Sequence, residues 1–100
     1  MSASVVDALT SEADLQAAIV DLARLHRWRV FHVFDARRSE RGFPDLCLVR
    51  PPRLLFAELK RLGRDPTSAQ QDWLDALAAA GAECHVWRPS DWPAIERTLT

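Results

Sequence analysis

The stretch DLCLVRPPRLLFAELK, residues 45–60, contains two apolar runs separated by Arg50-Pro51-Pro52-Arg53. Proline donates nothing to a strand ladder, so the proline pair reads as a turn, with residues 45–49 and 54–60 as the two strands of a hairpin. Pairing Val49 with Leu54 across that turn puts Asp45 directly opposite Glu58. Opposed residues project from one face with Cβ atoms about 4.5–5.5 Å apart. Lys60, two residues beyond Glu58, shares that face by the period of two. Two carboxylates and an ammonium therefore gather at the open end of the hairpin. This lysine is the only one in the chain, among thirteen basic residues of which the rest are arginines.

Outward from the hairpin, the remaining elements follow from periodicity and punctuation. Before it, Thr10 or Ser11 caps a first helix with Asp14 in its first turn. Leu15, Ile19, Leu22 and His26 form its inward stripe, and it runs to about Leu25. Residues 28–34, aromatic and β-branched, read as a strand, and residues 35–44 (DARRSERGFP) as a loop. After the hairpin, Thr67 starts a second helix whose stripe is Trp73, Leu74, Leu77 and Ala78, stopped by Gly81. Residues 82–87 read as a fourth strand, and Ser90 or Asp91 caps a last helix carrying Trp92, Ile95 and Leu99, with Pro93 in its first turn. The crossover from the third strand through the second helix to the fourth implies a parallel pair. The expected fold is α/β, in the order α-β-β-β-α-β-α, with a central mixed four-stranded sheet flanked by helices.

One hundred residues, 48% of them apolar and 27% charged, form one globular domain spanning residues 1–100. So small a domain builds a thin core, and a homodimer is a natural way to gain stability. No run of about 18 apolar residues marks a membrane span, and the first residues carry acids where a signal peptide carries bases. An intracellular, cytoplasmic protein is expected. Cys47 and Cys84 lack the paired spacing of zinc or redox motifs and read as reduced, buried packing residues. His26, His32 and His85 read as hydrogen-bonded packing residues, and the four tryptophans as core or interface anchors.

The net charge of −1 hides a division. Residues 24–64 hold eleven basic side chains against four acidic ones, while the flanks hold two against ten. A basic middle in an acidic frame points to a polyanion-facing side. Two adjacent carboxylates repel unless one is protonated or a cation sits between them, and a hard divalent metal is the natural occupant. A lysine beside it can hold an attacking water or offset phosphate charge as a compact cation.

The ordered set Glu12, Gly42-Phe43-Pro44-Asp45, Glu58-Leu59-Lys60 and Thr67-x-x-Gln70-x-x-Trp73 resembles the PD-(D/E)xK nuclease superfamily. Within it, the set is similar to the stand-alone virus-type replication-repair nuclease (VRR-NUC) domain, and the resemblance runs from Glu12 to the Trp87–Trp92 segment. The resemblance implies a single restriction-endonuclease-like domain of bacterial or phage type. Asp45 and Glu58 would be acidic metal ligands, with the Leu59 carbonyl as a third, and Lys60 would position or activate the hydrolytic water. Glu12 would be the first-helix acid, a role that Gln16 one turn on could share or take. Gln70 would lie near the lysine and the scissile phosphate. Read from the residues alone, Thr67 and Gln70 equally fit a capping box, and Glu12 a helix-dipole acid.

The basic loop Arg37-Arg38-Ser39-Glu40-Arg41, with Lys60 and Arg61, would grip phosphates without reading bases. The resemblance thus implies a Mg²⁺- or Mn²⁺-dependent DNA endonuclease of repair type. It would select branched, flap or junction DNA, Holliday junctions included. The alternatives are a nucleic-acid-binding module without turnover and a sequence-specific restriction-type enzyme.

Overall fold

Ser11 opens the first helix, α1 (Glu12–Leu25), its hydroxyl accepting a 3.0 Å bond from the Asp14 amide. The computed structural model describes residues 11–32 and 40–100; Thr10, the end of the first expected strand and loop residues 35–39 lie outside these. Leu15, Ile19, Val20 and Ala23 are buried, so the inward stripe passes through Ala23, while Leu22 and His26 are half-buried. The helix ends in a Schellman turn, with the Trp28 amide bonded to the Ala23 carbonyl (3.0 Å) and the Arg27 amide to that of Arg24 (3.1 Å). Arg27 stands at φ 69°, where glycine is usual, so the sequence carried no stop signal there. The turn aims Trp28 straight into the core.

Strands β1 (Arg29–His32), β2 (Leu46–Arg50), β3 (Arg53–Leu59) and β4 (Glu83–Trp87) lie in that spatial order. β2 and β3 pair antiparallel with Val49 opposite Leu54, the register read from the hairpin. β3 and β4 pair parallel, as the crossover through α2 (Ser68–Ala79) requires. A 3₁₀ turn (Pro89–Asp91) leads into α3 (Trp92–Leu99). The Asp91 carboxylate accepts from the Arg88 amide at 2.8 Å, so it fastens the entry to the helix without capping α3 itself. None of these helices is long and apolar enough to cross a membrane.

One sheet face carries Leu46, Leu48, Leu55, Ala57, Leu59 and Trp87, all buried with Leu15 and Ile19 of α1 and Ile95 and Leu99 of α3. On the other face, α2 packs against β4. Of its expected stripe only Leu74 is buried; Trp73 and Leu77 are half-buried and Ala78 is exposed, because this helix covers only part of the sheet. Cys47 and Cys84 are half-buried there rather than buried, and both are free. Phe43 meets Phe56 and Trp73 edge-on, with centroids 5.8 and 5.0 Å apart, and so ties the loop before β2 to α2.

Gly42 makes that loop possible. Its φ is +88°, and a Cβ there would lie 2.6 Å from the Ala69 carbonyl carbon. Gly42→Ala is expected to cost about 2 kcal/mol, from left-handed strain plus the forced shift of α2. That lowers the melting temperature of a domain this size by roughly 10 °C. A calorimetric scan with an unchanged midpoint would refute it.

Candidate active site

Arg50 and Arg53, at the hairpin turn, belong to the fold and leave the basic surface that their charge suggested. Arg50 donates to the carbonyls of Leu99 (3.2 Å) and His26 (3.1 Å), and Arg53 to Thr98 (3.0 Å). The Trp28 indole donates to Leu99 as well (2.9 Å), under both guanidiniums at 4.7 and 4.9 Å from its ring centroid. Cations at the C-terminus of α3 satisfy its unpaired carbonyls and its dipole. Arg53 also forks onto Glu83 (2.7 and 2.9 Å), which draws the Glu83 carboxyl below its ordinary range.

At the opposite end of the hairpin the ladder stops at Leu46 and Ala57. Asp45 lies one residue outside β2, so it is not a ladder partner of Glu58. Its carboxylate instead turns onto the sheet and accepts a 2.8 Å bond from the Leu59 amide. This still brings Asp45 against Glu58. Glu58 is only 1% exposed, and its Oε1 is buried without a hydrogen-bond partner. Lys60 Nζ stands 3.9 Å from Glu58 Oε2 and is itself largely covered. The Lys60 amide bonds the Trp87 carbonyl (3.0 Å), extending the β3–β4 pairing to the lysine.

Burial, and then the neighbouring Asp45, push the Glu58 carboxyl up to about 8, only partly offset by Lys60. A glutamate held this far from its usual value, in one cluster with a second carboxylate and an amine, marks a candidate functional site. Glu12, Ala13 and Gln16 of α1 face Asp45 and Leu59 across an open cleft of about 210 Å³. The cleft therefore brings together the first-helix candidates and the aspartate.

Gln16 Nε2 also lies 3.4 Å from His32 Nδ1, which places a histidine read as packing beside the cleft. Only the long-range pairing of β1 with β2, His32 opposite Leu46, brings it there. Gln70 caps its own helix: its side-chain oxygen accepts from the Thr67 amide (2.8 Å) while the Thr67 hydroxyl accepts from the Gln70 amide (3.2 Å). This is a complete capping box. Arg41 and Arg61 are exposed. Arg37 and Arg38 lie outside the described residues.

Among the described residues, no three His, Cys, Asp or Glu side chains group as a metal site by themselves. The donors on hand are two carboxylates and the backbone beside them. Mg²⁺ suits such a set, since it keeps several waters and takes one or two protein carboxylates. The orphaned Glu58 Oε1 is what a hard cation would satisfy.

The model of the VRR-NUC domain family matches residues 2–91. A solved structure described as a VRR-NUC domain superposes with a TM-score of 0.71 at 20% identity, covering 88% of this chain and 92% of that one. Another, described as a VRR-NUC domain protein, gives 0.67 at 20% identity, covering 89% and 87%. Among curated proteins no match was found.

Proposed function

Because the chain belongs to the VRR-NUC domain family, a nuclease-type family, we propose that it is a divalent-metal-dependent endonuclease that hydrolyses DNA phosphodiester bonds. The observation that carries this reading is the buried Glu58 carboxyl group between Asp45 and Lys60, one oxygen of which has no hydrogen-bond partner. Nothing structural is gained by setting a buried glutamate against a second, half-buried acid; a fold retains the pair when a cation or a reaction compensates the cost.

Asp45 and Glu58 would hold Mg²⁺ or Mn²⁺, with the Leu59 carbonyl and the Glu12 or Gln16 side chain at its rim. Such an ion polarises the phosphate and lowers the pKa of a coordinated water. Lys60 supplies a compact cation beside Glu58, able to orient the attacking water and to offset charge as the phosphorus becomes five-coordinate. The Leu59 amide fixes one Asp45 oxygen and leaves the other for the ion. Exposed Arg41 and Arg61 hold backbone phosphates, a contribution that weakens steeply with salt.

None of the described helices α1, α2 and α3 carries more than one basic residue, which supports selection of DNA by shape, at branches, flaps or junctions. The test is incubation with plasmid, flap and four-way DNA in Mg²⁺, Mn²⁺ or EDTA. Cleavage of at least one branched substrate is expected with metal, and none with EDTA. Salt-sensitive binding without cleavage in any metal would leave a binding module and refute the enzyme.

A further inference from the structure

Lys60 is followed at once by a tight turn, Arg61-Leu62-Gly63-Arg64. The Arg64 amide bonds the Arg61 carbonyl at 3.1 Å, and Gly63 sits at φ +80° in the third position, the geometry of a type II turn. Leu62, at the second position, is 60% exposed, and both arginines beside it are exposed. The core gives no reason for a leucine here.

The turn is also fixed in space. Arg88, at the end of β4, donates twice to the Arg64 carbonyl (3.1 and 2.7 Å) and once to Asp65 (3.0 Å). The Arg88 amide is in turn held by Asp91. Lys60, at the other end, is anchored to Trp87. Two clamps from one strand therefore present a rigid apolar tip, flanked by two cations, within two residues of the proposed catalytic lysine. Two residues span at most about 7 Å.

We propose that Leu62 is a wedge that enters DNA where base stacking is already broken, with Arg61 and Arg64 on the phosphates to either side. Apolar side chains flanked by cations are used in this way to occupy an opened base step. The step costs least at a branch, flap or mismatch, so the wedge converts a DNA discontinuity into position over Lys60. The inference rests on the nuclease reading and gives its shape selection a physical origin. Rigidity matters because a preformed tip loses little conformational freedom on insertion.

The test uses the full chain in EDTA, so that binding is read without cleavage. Its probes are a three-way branched DNA and a matched linear duplex, with 2-aminopurine at the branch point. Wild type is expected to bind the branch at least tenfold more tightly than the duplex and to raise 2-aminopurine fluorescence at least twofold. Leu62→Ala should bring both ratios to within twofold of unity, and Leu62→Met should keep them. A preference and fluorescence rise unchanged in Leu62→Ala, or no branch preference in wild type, overturns the wedge while leaving the nuclease intact. Failure of wild type to bind either DNA overturns the wedge, and the nuclease reading is decided separately by cleavage in Mg²⁺ or Mn²⁺.

Discussion

Lys60→Ala is expected to lower cleavage of branched DNA at least a hundredfold, with DNA affinity changed only a few-fold. The loss follows from what the site has to supply. Removing one fixed electrostatic contributor to a developing anion costs roughly a hundred- to a thousandfold in rate. Lys60 is a largely covered amine 3.9 Å from a buried carboxylate, held on the sheet through its own amide. Lys60→Arg should fail nearly as badly, because a guanidinium is a wider, planar group that does not fit a space shaped for an ammonium. The chain otherwise uses arginine for every basic position, so this variant asks directly why one lysine is kept. Asp45→Asn should match Lys60→Ala in severity, since it removes half the carboxylate pair. Cleavage within threefold of wild type in Lys60→Ala would end the assignment. Full activity in Lys60→Arg would show that charge alone is enough.

The second large effect concerns stability and has the opposite sign to the usual acid denaturation. Glu58 is raised from about 4.5 to about 8 in the metal-free fold, first by burial and then by Asp45. A group whose folded pKa lies above its unfolded one binds more protons when folded. Its contribution is therefore fully present below about pH 4.5 and is lost as pH rises through about 8. With each pKa unit worth 1.36 kcal/mol, the loss across that window is on the order of 3–5 kcal/mol, a large share of the stability of a small domain.

Metal-free wild type should therefore be markedly less stable at pH 8 than at pH 5. Glu58→Gln, which keeps the shape but cannot ionise, should remove most of this slope and be the more stable protein at pH 8, while losing cleavage. Saturating Mn²⁺ should restore wild-type stability at pH 8 and release close to one proton per chain at pH 7. Denaturant midpoints in EDTA at pH 5 and pH 8 are the measurement. Parallel pH dependence in wild type and Glu58→Gln would show that the buried carboxyl is not the source.

The two effects are linked. A site that holds repelling carboxylates ready for a cation is destabilised until the cation arrives, so the substitution that relaxes the fold is also the one that removes the chemistry. The Leu62 turn, by contrast, sits on the surface, and its removal should leave stability unchanged. That separates loss of DNA positioning from loss of folding.

Much of this arrangement was legible in the order of residues because it depends on short-range periodicity. The proline pair marks the turn, and the turn fixes the register of β2 and β3. The period of two then carries Asp45, Glu58 and Lys60 to one end of the hairpin, whatever the rest of the chain does. Ser11 and the Thr67–Gln70 box likewise act within one helical turn, and each helix starts where those residues place it.

The remainder depended on contacts between distant segments, which no local pattern encodes. Whether Arg50 and Arg53 face solvent or the end of α3 is decided fifty residues away, where the Thr98 and Leu99 carbonyls need donors. Glu58 is an ordinary surface acid in the alternating pattern of a strand. Only packing of that strand between β2 and β4 in the assembled fold excludes water from it, and exclusion of water turns a carboxylate into a group poised near neutral pH. Spacing set which groups meet; burial set how strongly they act on one another, because the effective dielectric around a charge belongs to the assembled fold.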